Sequence, residues 1–493
     1  MVTPSTFNTT GAVAHLFVTD LTIRSSSIHE MNLRGWHCID KDLYLHTSEQ
    51  SEYLYIALMN KEELTAGDLL VVGIRVGEPP SDKGSGYSWE NRPGGIWLLR
   101  SPFPGNIDQA VTEVDVLFGT DAVDPRPQWN LMRSPIQLDA HPQVPVARLS
   151  VLHGRAKPRP DARTTLRVKE DGKFKIVQIS DTHMVTGVGV CKDAIDAHGK
   201  NLPESEADKR TIHFIGEILD VEKPHLVILT GDQLHHDIPD SQSALFKVVA
   251  PMIERSIPFA IVFGNHDSEG PYALSRIAQM SILENLPCSL SEPGPEEVDG
   301  IGNFYLQQNQ IDWFTSISQA QRSRSEKNDN DENRFHLSLA FIHIPLPEFG
   351  DRHIRIYAGH RGEPTEGPSS NSHFYDALVK EKISALGCGH DHVNDFCALL
   401  PHQGQKGGDK KHQSGPWLCY GGGTGFGGYC SYGRKRFHRR MRVWELDTSN
   451  GILKTWTRVE YSEDRVNELV LARGGAIVVP PGEEDASKSC VVS

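Results

Sequence analysis

Residues 385–396 read ALGCGHDHVNDF, an apolar run that turns through Gly-Cys-Gly and delivers His390 and His392 on either side of Asp391. At extended spacing, positions i and i+2 point the same way, so both imidazoles can face one point in space. Two readings are open for the pair alone: a solvated polar loop, or two metal ligands that need partners elsewhere in the chain.

The partners are sought at the ends of other apolar runs. FKIVQIS leads into Asp181-Thr182-His183, HLVILTG into Asp232, and PFAIVFG into Asn265-His266-Asp267; LSLAFIHI carries His343 near its end. Between these runs lie amphipathic segments, ADKRTIHFIGEILDVE, SQSALFKVVAPMIER and EGPYALSRIAQMSILENL. This alternation predicts an α/β unit with strands buried on both faces. In such sheets ligands gather where strand C-termini meet their loops, so the polar residues are expected to converge. Each has a bland alternative. Asp181 or Asp232 could cap a helix, Asn265 could be a turn residue, and His343 could be a satisfied core histidine. His336 and His353 lie close enough in sequence to compete with His343.

The 493 residues suggest two domains or three. Residues 1–153 read as a β-rich N-terminal domain with alternating runs such as DLYLHTSEQSEYLYIALM, and residues 154–172 as a polar, basic linker. No internal repeat is visible in the sequence. QAQRSRSEKNDNDENR (319–334) and PHQGQKGGDKKHQSGP (401–416) read as exposed loops, and residues 472–493 as a flexible tail. Lys+Arg 50 against Asp+Glu 64 gives a net charge of −14, which argues against a nucleic-acid-binding surface. It leaves phosphorylated substrates open, because a bound cation reverses the local field. The eight cysteines show no regular spacing, so no disulfide framework or zinc finger is indicated.

Taken together, "DTH" (181–183), "GD" (231–232), "GNHD" (264–267), His343 and "GHDH" (389–392) resemble the signature of the calcineurin-like metallophosphoesterase superfamily. The resemblance covers residues from about 173 to 462. "LCYGGGTGFGGY" (418–429) and "RVWELD" (442–447) bring it nearest to the fungal and plant branch filed with purple acid phosphatases. It implies a four-layer αββα sandwich preceded by the β-rich N-terminal domain. It further implies two divalent metal ions sharing Asp232, with Asp181, His183 and His392 completing one site and Asn265, His343 and His390 the other. His266 would stand beside the substrate phosphate and assist the leaving oxygen.

Paired cations suit phosphate ester hydrolysis, since they clamp phosphate oxygens and acidify water. Mixed Asp/His/Asn ligation favours Mn, Fe or Zn over oxygen-preferring Ca or Mg. The expected function is therefore a phosphatase acting on phosphate monoesters. Phosphoproteins are the substrate class by resemblance, because fungal relatives of this kind are regulatory phosphatases of the cell cycle and stress signalling. The alternatives are a phosphodiesterase using the same two metals, or a catalytically weak regulatory binding protein.

Three departures from the pattern bear on these expectations. His235 in GDQLHHD stands where purple enzymes place an iron-binding tyrosine, which predicts a colourless protein. The arginine that follows Gly-Asp in calcineurin-type serine/threonine phosphatases is missing. Relatives insert a strand pair where this chain runs directly from Leu306 to Gln310, so the sheet is expected to lose one or two strands and expose an edge.

CVVS (490–493) fits a farnesylation pattern and would give peripheral membrane association through Cys490, although the acidic GEEDASKS before it supplies no second, polybasic anchor. No signal peptide is expected, which places the chain in the cytoplasm; a longer natural N-terminus would instead suit the endomembrane lumen or vacuole. RKRFHRRMR (434–442) reads as a solvated strand flank.

Overall fold

The computed structural model describes residues 16–25, 35–79, 88–103, 107–154, 166–301, 308–327, 336–401 and 415–480. Its N-terminal strands come in three sets of like order. β1 (Leu16–Ser25), β2 (Trp36–Ile39) and β3 (Glu52–Asn60) form an antiparallel sheet ordered β1-β3-β2. β4 (Leu69–Val76), β5 (Trp89–Arg92) and β6 (Ile96–Pro102) repeat it as β4-β6-β5. β7 (Val111–Phe118), β8 (Trp129–Leu131) and β9 (Ala147–His153) repeat it again as β7-β9-β8. Each opening ladder carries a register shift, at Val18/Asp20, Val71/Gly73 and Val111/Glu113. Val18, Leu21, Val71, Ile74, Ile96, Val116 and Leu149 close one core among the three sheets, a three-sided prism. The sequence shows no repeat because strand order and bulge position recur while the core residues do not. Val, Leu, Ile and Phe fill an inward pleat position about equally well.

The second part begins with β10 (Lys173–Ile179), α1 (Ala207–Glu222), β11 (Leu226–Thr230), α2 (Ser241–Glu254), β12 (Phe259–Val262) and α3 (Arg276–Glu284). Then come α4 (Gln308–Lys327), β13 (Leu339–Phe341), β14 (Arg355–Ala358), α5 (Phe374–Lys380), β15 (Ala385–Cys388), β16 (Cys397–Leu399) and β17 (Trp417–Tyr420). A small hairpin, β18 (Ser431–Tyr432) and β19 (Lys435–Arg436), precedes β20 (Arg440–Asp447), β21 (Ile452–Val459), β22 (Val466–Arg473) and β23 (Ala476–Ile477). One sheet is ordered β12-β11-β10-β20-β21-β22-β23 and the other β13-β15-β17-β16-β14.

The pleat of β10 shows why its run is almost wholly apolar. Ile176 faces the layer between the sheets with Ile228, Ala385, Trp417 and Trp444. Val177 and Ile179 face outward against Phe214, Leu245 and Leu283 of α1, α2 and α3. On the far side, Ile311, Phe374 and Leu378 of α4 and α5 cover Leu386 and Leu418. Helices, sheet, sheet, helices: these are the four layers expected.

The prism is fastened to α2. Lys247, buried on that helix, reaches Asp208 Oδ2 at 2.5 Å and Asp121 Oδ2 at 2.8 Å. Phe118 N–H donates to Ser243 Oγ at 2.8 Å, and Gln242 Nε2 to Asp115 Oδ2 at 2.8 Å.

Several expectations are corrected. Residues 319–327, read as loop, continue α4, because Gln, Ala, Arg and Glu propagate a helix until the Asn/Asp run begins. The basic segment is not a solvated flank at its C-terminal end: Arg439, Arg440 and Arg442 are buried and hydrogen-bonded. The tail starts later than residue 472, since β22 and β23 form a hairpin through Ile477. Cys397 and Cys419 face each other across the β16–β17 ladder and are bridged. The junction at Leu306, most of 401–416, most of the linker and Cys490 lie outside the described residues.

Candidate metal centre

The loops after β10, β11, β12 and β15 meet at one end of the sandwich, and backbone bonds tie them. Asp181 N–H donates to Gly231 O at 3.0 Å and His183 N–H to Asp232 O at 3.1 Å. Asp181, His183, Asp232 and His390 all hold left-handed backbone, with φ of 55°, 47°, 50° and 75°. Non-glycine residues adopt that region at a cost, and it persists where surrounding contacts over-determine it. Glycine is required where loops cross: a Cβ on Gly264 would strike Asp232, and one on Gly428 would strike His392 and His183.

Two groups of donors result, Asp181-His183-His392 and Asp232-His343-His390, all buried except the half-buried His390, each with its ligand atoms within 4.8 Å of one another. In the first, His183 Nε2 and His392 Nε2 stand 3.2 Å apart, and His392 Nε2 lies 3.5 Å from Asp181 Oδ1. In the second, His343 Nε2 lies 3.2 Å from both Asp232 Oδ2 and Asn265 Oδ1, while the His390 ring meets the His343 ring edge-on at 5.2 Å. His390 and His392 stand in different groups, the division that the family resemblance implies. The left-handed turn at His390 breaks the extended spacing, and the rings divide between adjacent groups. Asp391 points away from both, taking the Tyr420 hydroxyl proton at 2.5 Å. His336 is exposed and His353 bonds Arg352, so the structure brings neither to the site.

The donors fit a pair of cations. His343 Nδ1 lies 2.8 Å from Thr230 O and His392 Nδ1 lies 2.8 Å from Tyr429 O. Each ring gives its Nδ1 proton to a carbonyl and aims Nε2 inward, as metal-binding histidines do. Burial opposes charge on Asp232, but His343 and His183 outweigh it and hold the carboxyl well below its usual range. Burial likewise opposes a proton on His343, yet Asp232 overrides it and lifts the imidazole to about 9. Burial, then His343, pushes His390 down to about 4. The set is anionic at its centre and lined by imidazoles, which suits borderline divalent ions.

His266 stands at the mouth with its side chain a third exposed, Nδ1 on Glu269 Oε2 at 2.5 Å and Nε2 at 4.0 Å from Asp232 Oδ2. Sequence reasoning missed three supporting residues. Asp267, quoted within the Gly-Asn-His-Asp motif but given no role, accepts the N–H groups of Asp232, Leu234 and Gly264 at 3.0, 2.9 and 2.6 Å. Glu269 orients His266, three residues along the same turn. Tyr429 stacks on His392 at 3.9 Å, with its hydroxyl on Glu363, and only the preceding glycine run hints at it.

The calcineurin-like phosphoesterase profile matches residues 174–394. Phosphatase DCR2 of Saccharomyces cerevisiae is 31% identical over 397 residues, 72% of this chain, and the chain spans 65% of that protein's length. The uncharacterized protein C1020.05 of Schizosaccharomyces pombe is 30% identical over 73% of this chain and 72% of its own length. Probable inactive purple acid phosphatase 29 of Arabidopsis thaliana is 29% identical, covering 60% of this chain and 85% of its own. With the four-layer sandwich and two donor groups at its strand ends, the chain belongs to the calcineurin-like phosphoesterase family.

Proposed function

We propose that the chain is a dinuclear-metal-dependent phosphatase that hydrolyses phosphate monoesters, with phosphoproteins as its substrate class. The observation that carries this is the pair of donor groups side by side, with His266 at their mouth. Asp181, His183 and His392 would hold one ion and Asn265, His343 and His390 the other, with Asp232 shared; Mn, Fe and Zn fit these donors. Bound there, two divalent ions supply positive charge for phosphate oxygens and acidify water.

The chain's own groups do the rest. Asp267 fixes the backbone under Asp232, and Thr230 and Tyr429 carbonyls fix two imidazoles. Glu269 holds His266 by Nδ1, which leaves Nε2 as the ring atom that would face a leaving oxygen. With every donor position filled, the relatives named inactive do not by name decide the activity of this chain. The test is hydrolysis of an aryl phosphate monoester and the matching diester by manganese-loaded protein. Monoester turnover supports the reading; a diester preference would replace it with a phosphodiesterase.

A further inference from the structure

The loop between Asp181-Thr182-His183 and α1 carries a cation that the donor groups do not use. Lys192 is exposed, yet its backbone is fixed on both sides. Its N–H donates to Phe426 O at 2.9 Å, and its carbonyl accepts from the Arg439 guanidinium. Arg439 is 1% exposed, and it also donates to Tyr429 O at 3.0 Å, the oxygen that receives His392 Nδ1–H. One buried arginine of the basic segment therefore ties the base of Lys192 to a metal-site histidine.

From that base the Lys192 ammonium lies 3.2 Å from His235 Nε2. The His235 ring stands 6.0 Å from His183 and 4.1 Å from His236, and His236 stands 5.5 Å from His266. His266, His236 and His235 thus stand in a row of neighbouring rings beside His183, and the Lys192 ammonium closes the row at His235.

We propose that Lys192 is a phosphate-recognition residue that selects monoesters over diesters. The inference rests on the phosphatase reading of the centre. With one N–H spent on His235, the ammonium keeps two for phosphate oxygens. A monoester near neutral pH carries close to two negative charges and three terminal oxygens. A diester carries one charge, and its second substituent would press against the ammonium and strip its water. Arg439 acts on this indirectly, as a positioning residue for Lys192.

The experiment compares the full manganese-loaded chain with Lys192→Ala and Lys192→Arg, which sit on the surface and leave the core intact. Binding of inorganic phosphate is followed by titration calorimetry, beside kcat and KM for the aryl monoester and diester. In Lys192→Ala, phosphate affinity and the monoester-to-diester preference each fall about tenfold, the scale of one charge-assisted hydrogen bond. KM for the monoester carries most of the loss, metal content stays at the wild-type value, and Lys192→Arg recovers most of the effect. Unchanged phosphate affinity and preference in Lys192→Ala overturn the proposal and leave the phosphatase reading intact. Wild-type protein that binds phosphate through Lys192 but turns over neither ester upholds the recognition site and overturns that reading. Wild-type protein that binds no phosphate overturns the proposal.

Discussion

Asp267 accepts three backbone N–H groups from two loops with one buried carboxylate. Asp267→Ala would leave all three without an acceptor, and a buried unpaired donor costs about 1–3 kcal/mol. The expected loss is therefore at least ~3 kcal/mol in urea unfolding, with lower phosphatase activity because Asp232 loses its footing. Removing His266 acts differently, since the ring sits at the mouth and packs no core. His266→Ala should lower kcat by about 10²–10⁴, the usual scale for a general acid, while elemental analysis finds wild-type metal content. At this scale the sequence was legible where a donor ends an apolar run, as at Asp181, Asp232 and His343. Asp267 and Arg439 were not legible, because a carboxylate that binds amides and an arginine that binds carbonyls look like surface charge until the loops around them are placed.

Among the elements, strand–helix alternation marked β10, β11, β12 and β15 and the helices α1 and α2 closely, because burial on both faces forces continuous apolar runs. α4 was misread at its polar end, and the threefold prism was hidden because its strands share order rather than residues. The turn at His390 was equally hidden, since a left-handed residue leaves no trace in polarity. The joint between α1, α2 and the prism hangs on Lys247, whose side chain is wholly buried between Asp208 and Asp121. Lys247→Met would strand two acidic groups, and breaking such a buried pair costs about 3–5 kcal/mol. Denaturant unfolding should show a loss of that size, and adding Asp208→Asn should recover part of it.

At the scale of the whole molecule, the contact between prism and sandwich includes a carboxylate, Asp115, that ties its stability to pH. Asp115 of β7 is partly buried at their contact, where burial opposes its charge, but Lys41 and Arg126 outweigh it and bring it to about 2. A carboxyl lowered on folding stabilises above its ordinary value of 3.8, so that stability is full above pH ~4 and lost as pH falls toward 2. A shift of this size is worth about 2 kcal/mol, and Asp115→Asn should flatten the acid limb of a stability profile by about that amount. The donor groups lie elsewhere on the sandwich, where the strand ends converge, and on them rests the proposal that two bound ions act together on a phosphate monoester. The most direct measurement is metal stoichiometry taken beside monoester turnover, for the wild-type chain and Asp232→Asn. Two equivalents of manganese per chain with turnover, both lost in Asp232→Asn, is the result this structure predicts. Full turnover retained in Asp232→Asn, or active wild-type protein holding one equivalent or none, would contradict it.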